Sequence, residues 1–194
     1  MEELSLAQWL ERIVSGDDEL RGEAWQSAGP LGAPAVAPLA KIVAAANDNF
    51  EVPRSACRAL WQIVRHAGHP GADAERQAVV AELTALLGDD QPVALRREVL
   101  WMLSELSGNE AVDPMARLLA HAELREDARA CLERIPGEKS LAALQGAMGA
   151  APREFQLALA ESLRRRGMEP GREKYPSQRL VPTRTTAVVP DAAK

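Results

Sequence analysis

The stretches "AVAPLAKIV" (Ala35–Val43) and "AVDPMARLL" (Ala111–Leu119) lie 76 positions apart and share almost every residue class. Each reads Ala-Val-x-Pro, then Leu or Met, then Ala, a basic residue and two aliphatics. A chain that writes one segment twice is built from units, so a test for self-similarity precedes any motif search. In both copies the proline falls early, where a helix loses least from a missing N–H. The apolar set Val36, Leu39, Ile42 and Val43 recurs as Val112, Met115, Leu118 and Leu119. It recurs again as Val80, Leu83, Leu86 and Leu87, and with smaller residues as Leu141, Leu144, Ala147 and Met148. These intervals place one stripe along an amphipathic helix.

A second pattern runs ahead of the first. Measured from Arg21, Arg54, Arg96, Arg125 and Arg153, the positions +3, +7 and +10 are apolar throughout except at Gln156. Five Arg-led helices therefore alternate with four partners. The spacings between successive arginines are 33, 42, 29 and 28 residues. The long unit carries "HAGHPGADAE" between its helices, whose glycines and proline predict a loop. Stop and start signals lie at the remaining boundaries: Gly16-Asp17-Asp18, Gly88-Asp89-Asp90 with Pro92, Ser107-Gly108-Asn109, and Pro136-Gly137.

Composition agrees. Aromatics are 4% and tyrosine appears once, too few for a sheet protein, whereas the helix formers Ala, Leu, Arg, Glu and Gln abound. The expectation is an all-α superhelix of about four to five helix pairs. Residues 1–16 supply a capping helix, residues 17–166 the solenoid, and residues 167–194 a Pro-rich, basic, flexible or docking tail.

The Arg-x-x-Ala first helix ("ELRGEAWQSAG", "ELREDARACLERIPG") and the "AVxPL" second helix resemble HEAT repeats, in particular the short bacterial HEAT-repeat proteins. The resemblance covers residues 17–166. It implies stacked helix pairs in a curved right-handed solenoid whose second helices line the concave side. It implies a non-catalytic scaffold or adaptor for another protein or peptide. The alternative it carries is a pocket that handles a small ligand, as in bilin-lyase-like HEAT proteins. Nucleic-acid binding, as in HEAT-like DNA glycosylases, ranks third. Trp25, Trp61, Trp101 and Asp113 would serve such a reading, but the net charge of −5 opposes it.

No motif carries chemistry. Gly-x-Ser-x-Gly, a phosphate loop and Cys-x-x-Cys are all missing, so no catalytic residue and no cofactor is expected. Cys57 and Cys131 fall in apolar registers and read as buried, inert thiols, which fits a reducing cytoplasm. His66-x-x-His69 with Asp73 nearby is a weak zinc candidate. The spacing is three rather than four and Pro70-Gly71 follow, so a solvated loop is the expectation. His121 ends a second helix, near its carbonyls. The longest apolar run is broken by Pro34, Pro38 and Lys41, so no membrane span is expected.

Candidate partner-binding residues remain. Trp101 stands at +5, roughly opposite the stripe, either packing between units or exposed as an anchor. Lys41 and Arg117 are equivalent second-helix cations, either decorating a concave face or standing as solvated charges near helix ends. The arginines that lead the first helices read as framework ion pairs between adjacent units. The acidic start has a basic counterpart: residues 1–23 hold seven acids against two bases, and residues 153–194 nine bases against five acids. Arg164, Arg165 and Arg166, followed by the segment bearing Tyr175, therefore form a candidate docking peptide, for another surface or for a second copy of the chain.

Overall fold

The computed structural model describes residues 4–45 and 48–177. Among them there are ten α-helices and no strand: α1 (Leu6–Ile13), α2 (Asp18–Gln26), α3 (Val36–Ala44), α4 (Glu51–Ala67), α5 (Asp73–Ala85), α6 (Val93–Leu106), α7 (Val112–Arg117), α8 (Arg125–Arg134), α9 (Glu138–Ala147) and α10 (Arg153–Arg165). Short 3₁₀ turns lead into α3 and α7 and follow α7.

Local chemistry explains the boundaries. Ser5 and Gln8 form a reciprocal capping box on α1. The Asp17 carboxylate accepts from the backbone N–H groups of Glu19 and Leu20 and starts α2. Pro38 and Pro114 sit in the first turns of α3 and α7. Gly137, at φ +101°, turns the chain between α8 and α9 in a conformation that other residues rarely adopt.

Packing follows chain order. The first helices contact one another in the series α2–α4–α6–α8–α10. The second helices fill the grooves alongside: α3 packs on α4, α5 on α4 and α6, α7 on α8, α9 on α8 and α10. Each unit meets only near neighbours, which is the organisation of an α-solenoid. The α1 helix covers α2 through Trp9 and Ile13, both buried.

Two expectations about the helices need correction. The expected ten-residue loop over 66–75 is only residues 68–72, because α4 continues to Ala67 and α5 begins at Asp73. Asp73 and Glu75 in the first turn of α5 suit the positive end of its dipole, and Gly71 at φ +88° makes the reversal. The extra length of this unit thus goes into longer helices. Second, α4 is rotated relative to the +3, +7, +10 rule. Cys57 and Trp61 are only half-buried, while Ala56, Ala59, Leu60 and Ile63 form the inner face. Pressed by α2, α3, α5 and α6, α4 buries more than one stripe.

The leading arginines mostly stay local instead of bridging units. Arg21 is buried and bonds Asp18 and the Ser15 carbonyl, and Arg54 bonds Glu51 in its own first turn. Arg125 and Arg153 lie over the rings of Phe155 and Tyr175, at 5.2 and 5.3 Å.

Candidate functional site

Two open clefts occupy the second-helix side. The first, about 530 Å³, lies between α5 and α7 and is lined by Thr84, Leu87, Asp89, Arg96, Arg117 and His121 among others. The second, about 520 Å³, lies between α7 and α9, and its lining is largely alanine: Ala116, Ala122, Ala143, Ala147 and Ala151, with Leu119 and Pro152. Small side chains at these positions leave space between adjacent helices. Ala120 borders both clefts, which together make up the second-helix groove.

Charge within the groove is concentrated at its α5–α7 end. Arg96 is 3% exposed, and its Nη2 lies 2.7 Å from Asp89, whose side chain is 93% exposed. The Arg96 Nε–H is buried without a hydrogen-bond partner. Arg117 is exposed and, among the described residues, has neither ion pair nor hydrogen bond from its side chain. His121 accepts the Glu123 N–H at Nδ1, and its own carbonyl accepts from Leu124 and Arg125 to start α8. Its imidazole therefore serves the following turn, not the carbonyls of the helix before it. Lys41, the counterpart of Arg117, is exposed in the last turn of α3 and lines neither cleft.

Trp101 lies half-buried between units. Its Nε1–H donates to Asp127 of α8 at 3.2 Å, and the Arg134 guanidinium stands 5.8 Å from its ring. Trp61 repeats the arrangement, donating to Glu98 of α6 at 3.3 Å. Trp25 carries Arg58 over its ring at 5.2 Å. Asp113 is held by Lys139 at 2.7 Å, apart from these indole contacts.

The three consecutive arginines are engaged within the chain. Arg166 reaches back to α8, donating to the carbonyls of Leu132, Glu133 and Ile135 at 3.3, 3.2 and 2.7 Å and to that of Gly137 at 2.9 Å. These include carbonyls at a helix end that lack an intrahelical partner. Arg165 bonds Glu133 at 3.1 Å, and Arg164 bonds Glu161 and the Tyr175 carbonyl. Tyr175 is buried against the end of the solenoid, with Arg153 donating to the Lys174 carbonyl beside it. Residues 168–177 thus fold back over α10. The rest of the tail expected over 167–194, residues 178–194, lies outside the described residues.

The pKa shifts trace packing. Burial pushes the Cys131 thiol up to about 12 and, together with the nearby Glu98 carboxylate, the Cys57 thiol to about 11, so both are held as thiols. For Glu133, burial acts upward, but the Ser162 hydroxyl and the Arg165 and Arg129 guanidiniums outweigh it and hold the carboxyl below its ordinary range. Glu110 is lowered in the same way: burial opposes, and backbone N–H bonds and Arg76 prevail.

His66 and His69 do come together, joined by Glu75 and not by Asp73. Asp73 instead lies 3.9 Å from Arg76. Sequence reasoning missed Glu75 because nine residues and a chain reversal separate it from His66. It missed Arg166 and Glu133 as the fastening of the last unit because both act across more than one helix.

No family model matches the chain, and no curated protein matches it. Solved structures similar to it include an engineered protein, 19% identical over 84% of this chain and 79% of its own, with a TM-score of 0.42. Another is a designed armadillo repeat protein, 13% identical over 83% of this chain and 99% of its own, with a TM-score of 0.32. Among the described residues no helix is long and apolar enough to cross a membrane.

Proposed function

We propose that this chain is a non-catalytic, HEAT-type interaction scaffold that binds an extended peptide segment of another protein along the second-helix groove. The observation that carries this reading is the pair of clefts sharing Ala120, with Arg117, which has no ion pair among the described residues, at their α5–α7 end. A row of methyl groups offers apolar contact to any backbone, and a free guanidinium prefers a carboxylate. The segment favoured is therefore apolar with an acidic residue, positioned over Arg117. Among the described residues, the groups whose pKa is displaced, namely Cys57, Glu110, Cys131, Glu133 and Arg165, lie outside both clefts. That favours binding over catalysis or ligand chemistry in the groove.

Selection from a random peptide library tests the reading. Peptides enriched on the wild-type chain should carry acidic residues. They should lose binding to Ala120→Glu, which fills the position the clefts share, and bind Arg117→Glu at least tenfold more weakly. Selected peptides that bind both variants as well as wild type would refute the groove as the site.

A further inference from the structure

We infer that His66, His69 and Glu75 form a binding site for one divalent transition-metal ion, zinc in the first instance, closing the turn between α4 and α5. This site lies apart from the groove. His66 comes from the last turn of α4, His69 from the reversal and Glu75 from the first turn of α5. One ligand atom of each lies within 4.8 Å of the others. A tetrahedral ion at about 2.0–2.1 Å from its ligands needs them about 3.3 Å apart. The His66 Nε2 and Glu75 Oε1 already stand 3.9 Å apart. Their side chains are 41% and 31% exposed, so small rotations about side-chain bonds close the remaining distance.

The donor atoms are prepared for metal. The His69 Nδ1 lies 2.5 Å from the His66 carbonyl oxygen. A carbonyl only accepts, so Nδ1 carries a hydrogen, and in the neutral ring the lone pair is on Nε2. A backbone carbonyl on the outer nitrogen is the usual support of a metal-bound imidazole. The His66 ring is seated against Gly29: a Cβ there would stand 3.0 Å from the His66 Cβ and 3.3 Å from its Nδ1. That wall leaves Nε2 as the free edge, toward Glu75. Glu75 in turn lies along Gly32, its Oε1 being 3.6 Å from where a Cβ would be. The two rings are tilted by 51° with centroids 5.4 Å apart, converging without stacking. Among the described residues, His66 is the one basic side chain within 4.0 Å of the Glu75 carboxylate. Two imidazoles and one carboxylate select zinc and its neighbours over calcium or magnesium, which require mostly oxygen. Water would complete the coordination.

The test uses the full chain without an affinity tag. Zn²⁺ titrated by calorimetry should bind with one-to-one stoichiometry, and Co²⁺ should give the visible absorption of a four-coordinate site. His66→Ala, His69→Ala and Glu75→Gln should each weaken Zn²⁺ binding at least tenfold. All three should keep the wild-type helical circular dichroism, since these side chains are partly or fully exposed. Cys57→Ala/Cys131→Ala should bind as wild type. Zn²⁺ should raise the unfolding temperature of wild type and of the cysteine variant, and not that of the three ligand variants. Absence of one-to-one binding to the wild type, or binding undiminished in the ligand variants, would overturn the assignment.

Discussion

Glu133 gives the sharpest test of how the last unit is fastened. Its carboxylate projects from α8 toward α10 and is 17% exposed. Oε2 accepts from the Ser162 hydroxyl at 2.6 Å and from Arg129 at 3.3 Å, and Oε1 accepts from Arg165 at 3.1 Å. Glu133→Gln preserves shape and an acceptor while removing the charge. A hydrogen bond to a charged group is worth about 1.5–3 kcal/mol against about 1 for a neutral one. Arg165, 65% exposed, adds at most about 1 kcal/mol after screening. The expected loss is therefore about 1.5–2.5 kcal/mol, read from urea unfolding at pH 7. Arg165→Ala alone should lose less than half of that. The pH dependence has a fixed sign. Because the folded carboxyl is held below its ordinary value of 4.5, the stabilisation is complete above that value and disappears as pH falls through the folded pKa. The gap between wild type and Glu133→Gln should thus narrow on acidification. A loss under about 0.5 kcal/mol at pH 7, against the range expected for a charged bond, would refute the reasoning. So would a gap that stays constant down to acid pH.

Trp101 and Asp127 should behave as a coupled pair: a double-mutant cycle with Trp101→Phe and Asp127→Asn should show about 0.5–1.5 kcal/mol of interaction. Trp101→Ala should cost about 2–4 kcal/mol in the same unfolding assay, whereas a freely exposed indole would cost little. For the cysteines, a thiol reagent at mildly alkaline pH should label neither in the native chain and both in urea. Their raised folded values mean that the folded state keeps protons the unfolded state gives up above 9.0. Stability should therefore be complete below that pH and fall as pH rises toward about 11, with Cys131→Ala removing part of the fall.

The helices were legible because apolar intervals repeat in nearly every unit, and a helix needs only its own sequence to set its period. What escaped was decided between units. The Trp61 bond to Glu98 spans 37 residues, that of Trp101 to Asp127 spans 26, and Arg166 reaches 31 residues back to Ile135. These separations approximate the repeat length, so partners appear only when successive units are aligned. Glu98 and Asp127 each lie two residues after a leading arginine, a signal that the alignment of arginines contained. At the next equivalent position stands Phe155, buried beneath Arg125. The last junction therefore has no acid to receive an indole N–H from the preceding helix. Its polar connection is built instead from Ser162, Arg165 and Arg166 donating back to Glu133 and the carbonyls ending α8, with Arg129 of α8 donating forward to the Ser162 hydroxyl. Of the three consecutive arginines, Arg165 and Arg166 supply cations to this junction, while Arg164 bonds Glu161 and the Tyr175 carbonyl.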